Sequence, residues 1–259
     1  YEEPSCEWEV YILEIVKKRL GRENPILNSI MQVTDAYILP TCSLILSEYL
    51  PFGTLLDLSN RMPDPNWMIV VFLAMNMARV YEQIHAAGII HADGKPDNWL
   101  VLGRLPEHCD MQQLLDMQVI RLIDWGRAID MHSLGEDRTF TGKAGTKNFD
   151  CCEMLDGRPW NYQCDIFAFV ANVHVLTLQK YMEVQKVADR YAPVASFKRR
   201  LESGPLWREM FDELLNITDS QHLPSWAELI TRMQGFFSEN FDNVAWKNAV
   251  RRFNESLPA

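Results

Sequence analysis

The sequence predicts an α+β fold in which a small strand-bearing region precedes a large and mainly helical one. Two short apolar runs, at residues 37–39 and 43–47, flank a Pro-Thr-Cys turn, as expected for two antiparallel strands. From Ile166 onward the spacing of apolar residues predicts helices. With 259 residues, of which 47% are hydrophobic, the chain is long enough for one large domain or two lobes.

The first half of the chain predicts three helices. Residues 8–20 carry apolar side chains at helical spacing and stop at Gly21, which indicates a short amphipathic helix. A Pro-Phe-Gly break at residues 51–53 precedes a second helix that begins at Leu55. Residues 67–87 are apolar all round, which is typical of a helix buried inside a lobe.

Further along, a hairpin and more helices are predicted. Residues 99–102 and 119–123 are expected to form two short strands on either side of a polar insert at residues 106–116. Residues 207–215 and 226–237 are both amphipathic at helical spacing.

The charge of the chain limits its partners. The formal net charge is −10 and the pI is about 5.1. A nucleic-acid or anionic-membrane surface requires clustered Lys and Arg, so neither partner is favoured, and proteins, including locally basic ones, are the expected partners. No apolar run reaches the length of about 18 to 20 residues that a transmembrane helix needs, and no signal peptide is recognisable at the first residues.

The cysteines favour a reducing, intracellular environment. They form no CxxC pair and lack His at zinc-ligand spacing, so neither a disulfide framework nor a structural metal is indicated. They are Cys6, Cys42, Cys109, Cys151, Cys152 and Cys164. Because the opening residues 1–4 (YEEP) start without Met in what resembles the middle of an element, the sequence is expected to be part of a longer protein.

Two motifs point to phosphoryl transfer: residues 91–98 (HADGKPDN) and residues 124–126 (DWG). In the first, Asp93 is expected to align an attacking hydroxyl and Lys95 to place a positive charge at the transferred phosphate. Asn98 and Asp124 offer the hard oxygen ligands that Mg²⁺ prefers. Taken alone, Asp93, Asn98 and Asp124 can be explained by turn chemistry, and an exposed side chain is the default interpretation of Lys95. Their joint spacing favours an ATP- and magnesium-binding centre.

These motifs resemble the catalytic loop and the magnesium-binding loop of protein kinases. The resemblance implies a bilobal protein-kinase-like fold, with a small β-rich N-lobe, incomplete here, in residues 1–50 and a large, mainly α-helical C-lobe in residues 51–259. Trp125 is then expected to pack inward and Gly126 to let the backbone swing.

The same resemblance assigns further residues. Residues 43–58 resemble the kinase hinge, so that Glu48 and Leu50 would present backbone groups to adenine and Ser47 would be a small gatekeeper. Leu100 would form the floor under adenine. The helix-C glutamate, the glutamate that closes the activation segment and the helix-F aspartate that supports the catalytic loop would be Glu9, Glu153 and Asp165.

Several segments carry a more specific resemblance. They are 8–12 (WEVYI), 49–56 (YLPFGTLL), 123–131 (IDWGRAIDM), 152–155 (CEML), 159–163 (PWNYQ), 215–217 (LNI) and 222–225 (HLPS). These segments are similar to the Bub family of mitotic spindle-checkpoint kinases. The resemblance implies serine/threonine phosphorylation, checkpoint protein partners, and a nuclear or cytoplasmic location with action at kinetochores in mitosis.

The sequence departs from the usual kinase pattern in three places. Ala92 stands where most protein kinases have the Arg that binds an activation-segment phosphate, so switching by that route is not expected. Cys151 and Cys152 replace the usual Ala-Pro before Glu153. No Gly-rich loop or ATP-binding lysine precedes Glu9, and these parts are expected to lie outside the sequence.

Three functions remain open at this point. The first is an ATP- and Mg²⁺-dependent protein serine/threonine kinase, which the retained Asp93, Lys95, Asn98 and Asp124 favour. The second is a kinase-like pseudoenzyme that serves as a binding module. The third is a small-molecule phosphotransferase with a similar His-x-Asp-x-x-x-x-Asn loop, against which Lys95-Pro96 and the helical tail argue. Three threonines between Asp124 and Glu153 are as well explained as loop-shaping hydroxyls as by regulation: Thr139, Thr141 and Thr146.

Overall fold

A computed structural model of the chain describes residues 3, 5–135, 137–143, 146–197 and 201–258. The opening residues 1, 2 and 4, which the sequence assigned to the middle of an element, lie outside the described residues. Helices and strands alternate in the first half of the chain, and helices dominate the second half. This arrangement agrees with the predicted α+β class.

The α-helices of the described residues vary from one turn to more than five turns. They are α1 (Glu7–Leu20), α2 (Leu55–Arg61), α3 (Trp67–Ala86), α4 (Met111–Asp116), α5 (Met131–Leu134), α6 (Cys152–Asp156), α7 (Gln163–Leu178), α8 (Gly204–Leu214), α9 (Trp226–Glu239) and α10 (Asn243–Ser256). Short 3₁₀ helices cover Pro25–Ser29 and Pro96–Asn98.

The strands form antiparallel pairs. They are β1 (Val33–Ile38), β2 (Ser43–Ser47), β3 (Ile89–Ile90), β4 (Trp99–Val101), β5 (Ile120–Leu122), β6 (Ile129–Asp130), β7 (Val184–Val187) and β8 (Arg190–Pro193). In the described residues β1 pairs with β2, β3 with β6, β4 with β5, and β7 with β8. Residues 91–98 connect β3 to β4, and residues 124–126 lie between β5 and β6. Because β3 pairs with β6 and β4 pairs with β5, the two predicted motifs lie next to each other.

The long helix α3 forms the centre of the helical part. It is buried over most of its length, as its apolar sequence predicts, and packs against α7, α9 and α10. Aromatic contacts join these helices: Tyr81 stacks on Trp226 with ring centroids 5.3 Å apart, and Phe72 meets Trp246 edge-on at 5.7 Å. None of the described helices is both long and apolar enough to cross a membrane.

The β7–β8 hairpin and the helix α4 differ from the sequence prediction. The prediction that the chain is helical from Ile166 onward is wrong between residues 184 and 193, where β7 and β8 form a hairpin. Its turn is made by Ala188 and Asp189, both with positive φ, the backbone that a two-residue hairpin turn needs, but without the Asn-Gly or Asp-Gly signal that usually marks it. The polar insert also contains α4, which a reciprocal capping box between Asp110 and Gln113 starts.

Candidate active site

Asp165 holds the backbone at the start of the 91–98 loop, the role that the kinase resemblance implied for it. Asp165 lies in the first turn of α7 and is fully buried. Its carboxylate accepts hydrogen bonds from the His91 N–H (2.7 Å) and the Ala92 N–H (2.8 Å). Ala92 has a φ of +62°, an uncommon backbone for a residue with a Cβ, and these hydrogen bonds hold it there.

A chain of side-chain hydrogen bonds continues below Asp165. His85 Nε2 lies 3.0 Å from the Asp165 carboxylate, and the Trp226 indole N–H donates to His85 Nδ1 at 2.9 Å. Because Nδ1 is an acceptor, the neutral ring carries its proton on Nε2 and donates it to Asp165. The loop therefore rests on a continuous hydrogen-bond chain that starts in α9.

Asp93 is buried, with an exposed fraction of 4%, and both of its oxygens are engaged. Lys95 Nζ donates to Oδ2 at 2.9 Å, and the Thr146 hydroxyl donates to Oδ1 at 2.8 Å. Although burial opposes ionisation, the hydrogen bonds from Lys95 and Thr146 lower the pKa of Asp93 below its ordinary value. Asp93 is therefore a carboxylate at neutral pH and can accept a hydrogen bond.

Asn98 joins the two motifs. Its amide nitrogen donates to the Asp93 backbone carbonyl (2.8 Å) and lies 3.3 Å from one oxygen of the Asp93 carboxylate and from one oxygen of the Asp124 carboxylate. Asp124, by contrast, is exposed and has a φ of +63°, another strained backbone. The three predicted oxygen-bearing side chains thus converge on one place, with Asp124 facing solvent.

His91 forms a second link between the motifs, a role that sequence reasoning did not assign. Its ring Nε2 lies 3.1 Å from the Ile123 carbonyl, and its Nδ1 accepts the Asp93 N–H at 3.3 Å. Burial lowers the pKa of His91, although nearby carboxylates oppose this effect, so the ring is neutral at pH 7. The neutral ring, with its proton on Nε2, satisfies both contacts.

The Asp124-Trp125-Gly126 loop packs as its sequence predicts. The Trp125 side chain is fully buried, meets the His91 ring edge-on at 4.9 Å, and donates its indole N–H to the Leu122 carbonyl. Glu9, in the first turn of α1, accepts a hydrogen bond from the Trp125 backbone N–H at 2.8 Å. Glu9 therefore contacts the loop that presents Asp124.

The residues predicted to contact adenine lie around β2, β4 and β5. Ser47 ends β2, and Leu100 in β4 forms an isolated antiparallel bridge with Thr54, just after the segment that holds Leu50. The Glu48 carboxylate lies 2.8 Å from Arg121 Nη1, and Arg121 pairs with Leu100 across β4 and β5. The hinge-like segment, which includes Thr54, thus lies next to Leu100, and the contacts of these residues with adenine stay a prediction.

Sequence reasoning missed the contact made by Thr146. Its hydroxyl donates to Asp93 and accepts a hydrogen bond from Arg127 Nη1 at 2.8 Å, and that nitrogen lies 3.8 Å from Asp93. Thr141 is exposed and Thr139 is half-buried, so the three threonines differ in environment. No local spacing could single out Thr146, because it lies 53 residues from Asp93.

Buried side chains anchor the end of the activation segment, which runs from Asp124 to Glu153. Cys151 and Cys152 are both buried at the start of α6, together with Glu153. Burial raises the pKa of both thiols, so they remain protonated and pack as small apolar groups. Arg158 Nη2 lies 3.4 Å from the Glu153 carboxylate.

The donor set fits magnesium bound together with phosphates. The described residues contain no group of three or more His, Cys, Asp or Glu side chains that could hold a metal ion. Magnesium in phosphoryl-transfer sites is held by one or two protein carboxylates, and substrate phosphates and water supply the remaining ligands. Exposed Asp124 beside Asn98 meets that requirement.

Gly94 allows the loop to pack closely on α3. A Cβ at this position would lie 1.9 Å from the Tyr81 hydroxyl oxygen, which is buried and has no hydrogen-bond partner among the described residues. We therefore expect Gly94→Ala to lower the free energy of unfolding by about 1–3 kcal/mol.

A double-mutant cycle checks this prediction by urea unfolding. Tyr81→Phe removes the hydroxyl oxygen, and the nearest remaining atoms, Tyr81 Cζ and the Ala168 Cβ, are 3.2 and 3.3 Å from the added Cβ. Tyr81→Phe should therefore restore most of the stability lost in Gly94→Ala. A double variant as unstable as Gly94→Ala alone would contradict the prediction.

The sequence profile of the protein kinase domain family matches residues 14–222. The chain belongs to the protein kinase family. Its kinase fold is also seen in the crystal structure of the BubR1 kinase domain, which superimposes with a TM-score of 0.89 at 29% identity and covers 98% of this chain and 75% of that one. The predicted protein-kinase-like fold is confirmed.

The resemblance to Bub kinases is also confirmed. The kinase domain is 42% identical to the mitotic checkpoint serine/threonine-protein kinase bub-1 of Caenorhabditis elegans, over 99% of this chain and 26% of the relative. It is 32% identical to the mitotic checkpoint serine/threonine-protein kinase BUB1 of Mus musculus, over 93% of this chain and 23% of the relative. The chain thus spans about a quarter of the length of these curated relatives.

Proposed function

We propose that this kinase domain transfers the γ-phosphate of ATP to serine and threonine hydroxyls of protein substrates. The observation that carries the proposal is that Asp93, Asn98 and Asp124 converge. Asn98 forms hydrogen bonds to both Asp93 and Asp124. A metal ligand pair beside a buried, ionised carboxylate suits a reaction in which positioning and charge stabilisation supply most of the rate enhancement.

Asp93 is the proposed group that receives and aligns the substrate hydroxyl. Its pKa is lowered, so it is ready to accept a hydrogen bond at neutral pH. The Thr146 hydroxyl already donates to Asp93 Oδ1, which shows that this oxygen can accept a hydroxyl donor. Lys95 Nζ lies 2.9 Å from the other oxygen, and its ammonium group is proposed to contact the transferred phosphate.

Asn98 and Asp124 are the proposed Mg²⁺ ligands, and bound Mg²⁺ would neutralise charge on the ATP phosphates. Ser47, Glu48, Leu50 and Leu100 are proposed to border the adenine site. The side chain of Glu48 pairs with Arg121, so we propose that its backbone groups, and not its carboxylate, contact adenine.

The domain division is proposed on the same basis, with residues 1–50 in the N-lobe and residues 51–259 in the C-lobe. The spindle checkpoint is the proposed setting, with kinetochore and checkpoint proteins as partners and a nuclear or cytoplasmic location. The named functions of the similar relatives support this setting.

The test is phosphate transfer by the full-length protein from labelled ATP. A protein substrate is compared with a small-molecule acceptor, either a small alcohol or an aminoglycoside. Each is tested with Mg²⁺ and with a chelator. We expect Mg²⁺-dependent label on serine or threonine of the protein substrate. ATP binding without transfer would establish the pseudoenzyme alternative, and label on the small alcohol alone would establish a small-molecule phosphotransferase.

A further inference from the structure

Arg19, in the last turn of α1, forms a bidentate ion pair with Asp130. Nη1 and Nη2 of its guanidinium lie 2.7 and 2.9 Å from the two oxygens of the Asp130 carboxylate. Nη1 also donates to the Ala87 carbonyl at 2.9 Å. Paired geometry of this kind is stronger and more directional than a single contact, so Arg19 fixes the end of α1.

Asp130 is built into the support of the catalytic loop. It is 1% exposed, and it lies in β6 opposite Ile89 of β3, the strand that leads directly to His91. Its carboxylate also accepts hydrogen bonds from the Ser133 hydroxyl (2.6 Å) and the His132 N–H (3.2 Å). The donors from Arg19, Ser133 and His132 favour the charged form of this buried carboxylate, so Asp130 is a charged partner for Arg19.

The helix α1 is held at both ends against residues 125–130. At its first turn, the Trp8 indole N–H donates to the Ala128 carbonyl at 2.8 Å, and Glu9 accepts the Trp125 N–H at 2.8 Å. Arg19 holds Asp130 ten residues later, a distance of about 15 Å along a helix. These contacts join α1 to the segment that follows Asp124.

Asp124 needs such support, because its φ of +63° is a strained backbone for a residue with a side chain. In many kinases the site is ordered by a phosphate bound to the Arg that precedes the catalytic Asp, and Ala92 in this chain cannot bind one. Arg19 and Asp130 instead form an ion pair between α1 and the segment that follows Asp124, and this ion pair requires no phosphate.

We propose that Arg19 and Asp130 are positioning residues that hold α1 on residues 124–130, and so keep Glu9 on Trp125 and Asp124 in place without a bound phosphate. The effect on catalysis rests on the proposed kinase function. The effect on the Trp125 hydrogen bond does not depend on it, and so the two can be tested separately.

The test measures hydrogen exchange by mass spectrometry in peptides that cover Trp125, together with kcat and KM for ATP. The variants are Arg19→Gln, which removes the positive charge, and Arg19→Lys, which keeps the charge but cannot form the bidentate contact with Asp130. Lys17→Gln is the matched control, since Lys17 lies in the same turn of α1 and pairs with exposed Glu14 instead of the loop.

We expect the hydrogen-exchange rate of the Trp125 amide to rise about tenfold in Arg19→Gln, because the charged hydrogen bonds between Arg19 and Asp130 are lost. In Arg19→Lys the rate should rise less. Lys17→Gln should behave as wild type. In active protein, kcat should fall more than KM for ATP rises. If Arg19→Gln does not fold, Arg19→Lys carries the test.

Unchanged exchange at Trp125 in folded Arg19 variants would overturn the proposal. An equal rise in α9 and at Trp125 would also overturn it, because that result indicates a general loss of stability. If wild type shows no phosphate transfer, the kinase proposal fails while the exchange measurement still decides the role of Arg19.

Discussion

Asp93→Asn is expected to reduce kcat by about a hundredfold to ten thousandfold, the range of a positioned proton acceptor, with little change in stability. The asparagine oxygen can keep the contact with Lys95 Nζ, and its amide can donate to the Thr146 hydroxyl, so the contacts now made by the two carboxylate oxygens have substitutes. What is lost is the negative charge that accepts the substrate hydroxyl. The measurement is steady-state phosphate transfer by the full-length protein, with the melting temperature recorded for each variant.

Asp97→Asn is the matched control, because it makes the same charge change in the same loop at a half-buried residue. Its kcat should stay close to that of wild type. Equal, background-level transfer by wild type and Asp93→Asn would sink the enzyme proposal and favour the pseudoenzyme. Full activity in Asp93→Asn would leave the enzyme proposal standing but remove Asp93 from the role assigned to it.

Asp165→Asn is expected to lower the free energy of unfolding by about 3 kcal/mol, because hydrogen bonds to a buried charge are lost and a donor is left unpaired. The carboxylate now accepts from His91 N–H, Ala92 N–H and His85 Nε2. An asparagine side chain must turn its own N–H₂ group toward one of these donors. The strained Ala92 backbone then loses a restraint, so kcat should fall even at temperatures where the variant is folded.

Urea unfolding at pH 7 measures this effect. Asp212→Asn is the control, since its carboxylate pairs with Arg190 at an exposed position, where ion pairs contribute little to stability. If Asp165→Asn unfolded at the same urea concentration as Asp212→Asn, the hydrogen bonds below the loop would not carry the stability assigned to them.

Elements with a strong local pattern were predicted well. The buried helix α3 and the first helix α1 lie where apolar spacing placed them, and the β1–β2 hairpin has the predicted antiparallel pairing. These elements are specified by residues close together in the chain. The hairpin of β7 and β8 was not predicted, since its turn residues, Ala188 and Asp189, adopt positive φ without the usual glycine.

The sequence by itself predicted the chemistry proposed for the site, because Asp93, Lys95 and Asn98 lie within six residues of each other and Asp124 begins a second short motif. Only the tertiary structure decided what holds these groups in place. Thr146 lies 53 residues from Asp93, and Asp130 lies 111 residues from Arg19, yet both pairs are in hydrogen-bond contact.

Such contacts leave no trace in local spacing. They form only when burial of α3 against α7 and α9 fixes the surrounding chain and brings residues that are far apart in sequence within hydrogen-bond reach. The low polarity of that interior then makes each contact directional and costly to break. The motifs predict the candidate catalytic groups, and tertiary packing determines which side chains contact them.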